Sequence, residues 1–308
     1  MTKTALLEDI AVKFIQEKER NGKLQKEVLE LTKELSLRKY TTRKGFKKLK
    51  TIQHRELLAS KLPENAEIEP SILENRNIIL GAGMFGSVTV GYMSNLNIEV
   101  AIKTSKGSSQ DVEGRVYQAL SGYKHFLHYF GMSSNKLVLQ LVQVFDIDKN
   151  RMVSSTLSHA LDNVSKTKRY PWIEISHGII TGILKLHSLN ILHNDIKENN
   201  ILLQVTSENV VPKIFDFGKA THSSCSMIYN LSNDEKKYYN EHCRHLAFEL
   251  RNLQGHKQNF STDAFSVGRV LKQIGGVFCI DKIKVAGQQL KVDDYNFRAK
   301  LNEVNLFC

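Results

Sequence analysis

A short polar stretch between two apolar runs carries the densest chemistry in the sequence: Ile191-Leu-His-Asn-Asp-Ile-Lys-Glu-Asn-Asn-Ile-Leu-Leu203. It holds His193, Asp195, Lys197 and Asn200. It is followed by Lys213-Ile-Phe-Asp-Phe-Gly218, an apolar run that ends at a carboxylate and a glycine. Asp216 and the side-chain oxygen of Asn200 are hard ligands of the type that suits Mg²⁺. Asp195 is then a further carboxylate, free to accept a proton from a hydroxyl.

Upstream, Ile79-Leu-Gly-Ala-Gly-Met-Phe-Gly-Ser-Val88 sets Gly81, Gly83 and Gly86 in a G-x-G-x-x-G-x-V run. Glycines allow a tight turn and let backbone N–H groups approach phosphate oxygens with no Cβ in the way. A dinucleotide-binding fingerprint would require a helix directly after the glycines. The residues that follow, Ser-Val-Thr-Val-Gly-Tyr, are β formers, so a strand–turn–strand hairpin is expected. Val100-Ala-Ile-Lys103 comes next, an apolar strand whose terminal ammonium can reach phosphate oxygens beneath the glycine turn. A lysine at a strand end also snorkels to solvent in many proteins, and it is the order after the glycine run that distinguishes this one.

Taken together these segments resemble the protein-kinase signature set over about residues 77–270. GAGMFGSV matches the glycine-rich loop, VAIK the third-strand motif, HNDIKENN the catalytic loop, and DFG stands intact at Asp216, Phe217 and Gly218. HLAFEL, beginning at His245, resembles the close of the activation segment with Phe248 in place of its usual proline. Asp263-Ala-Phe-Ser-Val-Gly268 resembles the start of the large buried helix of the C-lobe. The resemblance implies ATP and Mg²⁺ as cofactors and a protein as substrate. Gly81, Gly83, Gly86, Val88, Ala101 and Lys103 would line the nucleotide site, and Glu113 would pair with Lys103. Asp195 would act as base and Lys197 would steady the phosphoryl group, while Asn200 and Asp216 would hold metal. Lysine two positions after the catalytic aspartate is typical of serine/threonine kinases.

Four departures from the family pattern carry expectations of their own. Asn194 replaces the arginine that pairs with a phosphorylated activation segment, so catalysis is expected not to depend on that contact. His242 falls where a threonine usually bonds to the catalytic Asp and Lys. The interval from Lys103 to Glu113 is short, with Ser108 and Ser109 placed to cap the intervening helix. No arginine stands out in the sequence to pair with Glu249, and few residues follow the Asp263 helix. A compact or truncated C-lobe with exposed apolar surface is expected.

These residues need two lobes to hold them. β-branched runs at 77–80, 87–92, 99–103 and 137–145 precede helical patterns around 110–120 and 172–189. The pattern predicts an α+β, two-lobed domain, which the resemblance implies is kinase-like, over 71–308, its strand-rich N-lobe at about 71–143 and its helical C-lobe at about 144–308. Residues 1–37 read as a helical extension, interrupted by Gly22, in which Leu24, Val28, Leu31 and Leu35 follow a heptad seam: either a short coiled coil suited to self-association or a lone amphipathic helix. Residues 38–70 read as a basic linker. Eight Lys and Arg lie between Arg38 and Arg55 with no acid among them, a surface for an acidic partner, nucleic acid or anionic lipid.

Composition sets the outer limits. With 308 residues, 41% hydrophobic and 24% charged, the chain can bury a sizeable core. The longest apolar run, 136–145, is broken by Gln140 and Gln143, far short of a membrane span. Glu8 and Asp9 stand where a signal peptide needs apolar residues, and the four cysteines have no metal-ligand spacing. An intracellular protein, cytoplasmic or nuclear, is the reading. The alternatives to an active serine/threonine kinase are a pseudokinase scaffold, or an adaptor acting through the basic segment.

Overall fold

The computed structural model describes residues 57–83, 86–105, 109–146, 151–296 and 298–306. All belong to one unit, His54–Cys308. The helical extension, its coiled-coil seam and the basic run to Arg55 lie outside the described residues.

The N-lobe is a five-stranded antiparallel sheet of β1 (Leu73–Gly83), β2 (Gly86–Met93), β3 (Ile98–Ser105), β4 (Tyr129–Ser133) and β5 (Lys136–Gln140), in the order β1-β2-β3-β5-β4. Side chains alternate across a strand, and β3 uses both faces. Val100 and Ile102 join Val138, Met93 and Ile68 in one cluster. Ala101 and Lys103 turn the other way, toward the interlobe cleft. Helix α1 (Ser109–Ala119) packs on that side through Val112, Val116 and Tyr117.

The apolar run at 137–145 forms two strands rather than one. Gln140 is the last residue of β5 to pair with β3, opposite Val100. The chain then leaves the sheet, and Gln143–Asp146 (β6) pairs instead with Arg151–Ser154 (β7). Apolar residues continue through this exit because Leu141 and Val142 line the cleft, so the sequence run gives no sign of the break.

The C-lobe begins with α2 (Leu157–Asp162), α3 (Val164–Thr167) and α4 (Trp172–Ser188). Strand β8 (Ile191–Leu192) opens the catalytic-loop segment, and β9 (Ile201–Val205) pairs with β10 (Val210–Ile214) behind it. Strands β11 (Thr221–His222) and β12 (Ile228–Tyr229), helices α5 (Asn233–His242) and α6 (Phe248–Asn252), and β13 (His256–Lys257) follow. Two long helices end the lobe, α7 (Phe260–Val277) and α8 (Asp281–Leu290). α4 and α7 supply the core through Ile175, Ile179, Ile183, Val267, Leu271 and Ile274, all fully buried.

The residues after α7 fold back onto it. Ile283 and Leu290 of α8 are fully buried, and Leu301 and Leu306 add to the same core. The expected exposed apolar surface is confined here to side chains such as Val285 and Tyr295. The stretch read as linker also changes character before residue 71. Leu58 is fully buried in the main core, and Ile68 joins the sheet cluster. Two apolar anchors ten positions apart, between prolines and acids, give no periodicity to read.

Candidate active site

The glycine run forms the tip of the β1–β2 hairpin, where Gly81 faces Val88 and Gly83 faces Gly86. Gly86 has φ +146°, and a Cβ there would collide with the Thr104 carbonyl of β3. Only glycine allows that approach. Beneath the hairpin lies a mainly apolar cavity of about 260 Å³, lined by Gly81, Val88, Ala101, Lys103, Leu139 and Leu202 among others. Its lining suits a flat heterocycle, with the ammonium of Lys103 at one end.

Lys103 Nζ lies 2.8 and 2.9 Å from the two oxygens of Glu113 and 2.7 Å from Asp216 Oδ1. Burial opposes its charge, but the two carboxylates outweigh that and raise its pKa. Asp216 experiences the converse: burial pushes its pKa up, and Lys103 more than offsets this and lowers it. Glu113 is only the fifth residue of α1, so the short interval from Lys103 still spans the gap. The Phe217 N–H also donates to Glu113, at 3.2 Å.

Phe217 is fully buried, edge-on to Tyr117 of α1 at 4.7 Å. The Tyr117 hydroxyl accepts the Asp216 N–H at 3.2 Å. Asp216 itself has φ +66°, an uncommon conformation that costs backbone energy and aims its carboxylate at Lys103.

The catalytic-loop segment hangs from the core. Asp263 of α7, almost wholly buried, accepts the backbone N–H groups of His193 at 2.8 Å and Asn194 at 3.0 Å. That fixes the chain just ahead of Asp195. Asn194, at φ +64°, donates through Nδ2 to the Lys219 carbonyl and to Thr221 Oγ1, while its Oδ1 is buried with no partner in hydrogen-bond range. A neutral amide thus ties the loop to the start of the activation segment.

Asp195 receives two donors on each oxygen. Lys219 Nζ and His245 Nε2 reach Oδ1 at 2.8 and 2.9 Å; Lys197 Nζ and Asn200 Nδ2 reach Oδ2 at 3.0 and 3.1 Å. Burial alone would raise its pKa, but His245, Lys219 and Lys197 hold the carboxyl far below the usual range. With its nitrogen committed to Asp195, Asn200 has its side-chain oxygen left for a cation. Among the described residues no group of three His, Cys, Asp or Glu could hold a metal. A site of one carboxylate and one amide suits Mg²⁺, which shares its ligands with substrate phosphates and water.

Two sequence expectations are corrected here. The histidine that reaches Asp195 is His245, whereas His242 ends α5 and lies against Tyr238. A capping box between Ser232 and Glu235 starts α5 early enough to absorb His242, and Ser266 Oγ then pins the His245 carbonyl at 2.6 Å. Glu249 does have an arginine: Arg298 meets it with two parallel bonds of 2.8 and 2.9 Å. It is the only arginine after α7, a signal that would have singled it out. Lys219, directly after the DFG glycine, was also passed over; nothing but its adjacency marks it.

A family profile described as the protein kinase domain matches residues 75–281. Calcium-dependent protein kinase 4 of Plasmodium berghei (strain Anka) is 28% identical over 198 residues, covering 58% of this chain and 36% of that protein. Cysteine-rich receptor-like protein kinase 7 of Arabidopsis thaliana is 35% identical over 157 residues, 47% of this chain and 22% of that protein. A probable serine/threonine-protein kinase of Arabidopsis thaliana is 28% identical over 165 residues, 47% of this chain and 39% of that protein. The chain therefore spans well under half the length of these relatives.

Proposed function

The chain belongs to the protein kinase domain family, and from that premise we propose that it transfers the γ-phosphate of ATP to serine or threonine hydroxyls of a protein substrate inside the cell. The observation that carries this reading is the convergence of Lys103 and Glu113 of the N-lobe with Asp216 of the C-lobe within hydrogen-bond distance, beside the loop of Asp195 and Asn200.

In this reading Lys103 grips the nucleotide phosphates, and Asn200 and Asp216 hold Mg²⁺, which supplies charge neutralisation at the transferring group. Asp195 receives the substrate hydroxyl. Its depressed pKa makes it a weak base, so it orients the hydroxyl first and takes the proton late, as suits a loose transition state. All four acceptor positions of the Asp195 carboxylate are filled, and an incoming hydroxyl must displace one of the donors. Lys219 is the donor that yields, because its side chain is 48% exposed whereas that of His245 is 14% exposed. Lys197 then remains beside the phosphoryl group. The serine/threonine preference is supported by that lysine, two residues after Asp195.

The test is Mg²⁺-dependent transfer of labelled phosphate from ATP to a generic basic protein, wild type beside Asp195→Asn. Transfer that disappears in the variant is expected. No transfer, with a thermal shift on adding Mg²⁺ and ATP, would replace this reading with a nucleotide-binding scaffold. No transfer and no shift would overturn both.

A further inference from the structure

Helix α1 presents two different faces. Val112, Val116 and Tyr117 face the core, beside Glu113. Asp111, Gly114 and Gln118 follow i, i+3, i+7 spacing and so share another face. Residues 64–68 lie along that second face. Asn65 Nδ2 donates to the Asp111 carbonyl at 3.1 Å and to Asp111 Oδ1 at 2.8 Å. Asp111 Oδ2 accepts from Arg115. Two turns along the helix, Gln118 Oε1 accepts the Ala66 N–H at 3.3 Å.

The same segment is also bonded to the sheet. Ile68 donates to the Met132 carbonyl and Met132 donates to that of Ala66, both at 2.7 Å, which adds the segment alongside β4. The Tyr129 hydroxyl of β4 donates to Asn65 Oδ1 at 2.9 Å. Asn65 therefore joins helix and sheet through a single amide. The helix makes room for it at Gly114, where a Cβ would collide with Asn65 Oδ1 and lie 2.8 Å from the Tyr129 hydroxyl. Gly114 directly follows Glu113. Residues 64–68 precede the matched kinase span, which starts at residue 75.

We propose that residues 64–68 are a strap that fixes α1 against the sheet, with Asn65 the positioning residue that keeps Glu113 over Lys103. The inference rests on the phosphotransfer reading only for its effect on activity; its effect on α1 stands apart from catalysis. An amide that donates to the helix and accepts from β4 resists rotation of α1 about its own axis, the motion that would carry Glu113 off Lys103.

Asn65→Asp removes the donor and sets a carboxylate against Asp111. Asn65→Asp with Asp111→Asn restores the pair with donor and acceptor exchanged. Amide hydrogen exchange over residues 109–119 is expected to speed up about tenfold in the single variant, as local opening becomes easier. The KM for ATP is expected to rise severalfold, with the thermal midpoint nearly unchanged. The double variant should recover both. Gly114→Ala, which pushes a methyl into Asn65 from the helix side, should reproduce the single variant's behaviour, and it decides the matter if Asn65→Asp fails to fold. Wild-type exchange over 109–119 in the variants, or a double variant as impaired as the single, would overturn the strap. Absence of transfer in the wild type would overturn the phosphotransfer reading, leaving the strap to be judged on exchange alone.

Discussion

Among the described residues two buried glutamates pair with a cation, and they do different work. Glu249 meets Arg298 in a closed site where the two side chains are 2% and 0% exposed. The guanidinium also lies 4.9 Å from the Phe265 ring centre and donates to the Ser261 carbonyl. Glu113 meets Lys103 at the edge of a cavity, and Lys103 keeps a second carboxylate, Asp216, which is one-third exposed. The closed pair has a planar, bidentate partner all three of whose nitrogens donate, suited to locking α6 to the chain beyond α8. The open pair has a rotatable ammonium shared between two acids, suited to exchanging one of them for a ligand.

Removing the arginine tests the closed side and carries the largest expected effect. Arg298→Ala leaves the Glu249 carboxylate buried without its guanidinium, a change that costs about 3–5 kcal/mol. Thermal or urea unfolding should show the loss, and any fall in activity should follow the folded fraction. A variant that stays stable but loses turnover would reverse the roles assigned to the two pairs.

Lys103→Met tests the open side. kcat/KM should fall about 10²- to 10³-fold, the scale for losing one electrostatic stabiliser of the transition state. The stability loss should be smaller than for Arg298→Ala, since Glu113 keeps the Phe217 N–H. The pH dependence sharpens this. The raised pKa of Lys103 contributes stability below its unfolded value of about 10.4, lost as pH rises through the higher folded value. The lowered pKa of Asp216 contributes stability above about 3.9, lost as pH falls through the folded value below it. The midpoint difference between wild type and Lys103→Met should therefore be flat between these limits and shrink at both ends.

The two pairs also differ in how far the sequence reveals them. Lys103 and Glu113 lie ten residues apart, each inside a short patterned segment, so local spacing alone brings them together. Glu249 and Arg298 are separated by two helices and a loop, and no period links them. The hairpin, strand and helix around Lys103 are likewise built from contiguous motifs, and their arrangement was legible. The substrate side was less so. Whether His242 or His245 reaches Asp195 depends on where α5 stops; the helix runs through His242 to Cys243, whose N–H returns to the Tyr239 carbonyl, and residue counting does not reveal that end. The strap at 64–68 gave no signal because its contacts are single polar groups and backbone pairing.

Lys219→Ala asks whether the openness seen at Lys103 extends to Asp195. Lys219 is half-exposed, and ion pairs of that kind contribute about 0–1 kcal/mol to stability. The unfolding midpoint should hardly move. If Lys219 is the donor that a substrate hydroxyl displaces, its removal should change the KM for the protein substrate severalfold with a smaller change in kcat. A thermal loss comparable to that of Arg298→Ala would show that Asp195 sits in a closed site instead.

The smallest effect is expected in the activation segment. Asn194 holds the Lys219 carbonyl and Thr221 through a neutral amide, and β12 pairs with β13 farther on, so the segment is secured at both places without a phosphate. Thr221 is buried in that contact and its removal would disturb packing, so it does not test the point. Ser224 and Tyr238 do: Ser224 is exposed and its hydroxyl meets the half-buried His222 ring, and Tyr238 is 53% exposed on α5. Ser224→Ala and Tyr238→Phe, alone or together, should leave kcat/KM within about twofold, the range of surface substitutions worth under about 0.5 kcal/mol. A large loss in either, restored by Asp or Glu at the same position, would mean that negative charge completes the substrate side. The open half of the molecule would then require a modification that the closed half does without.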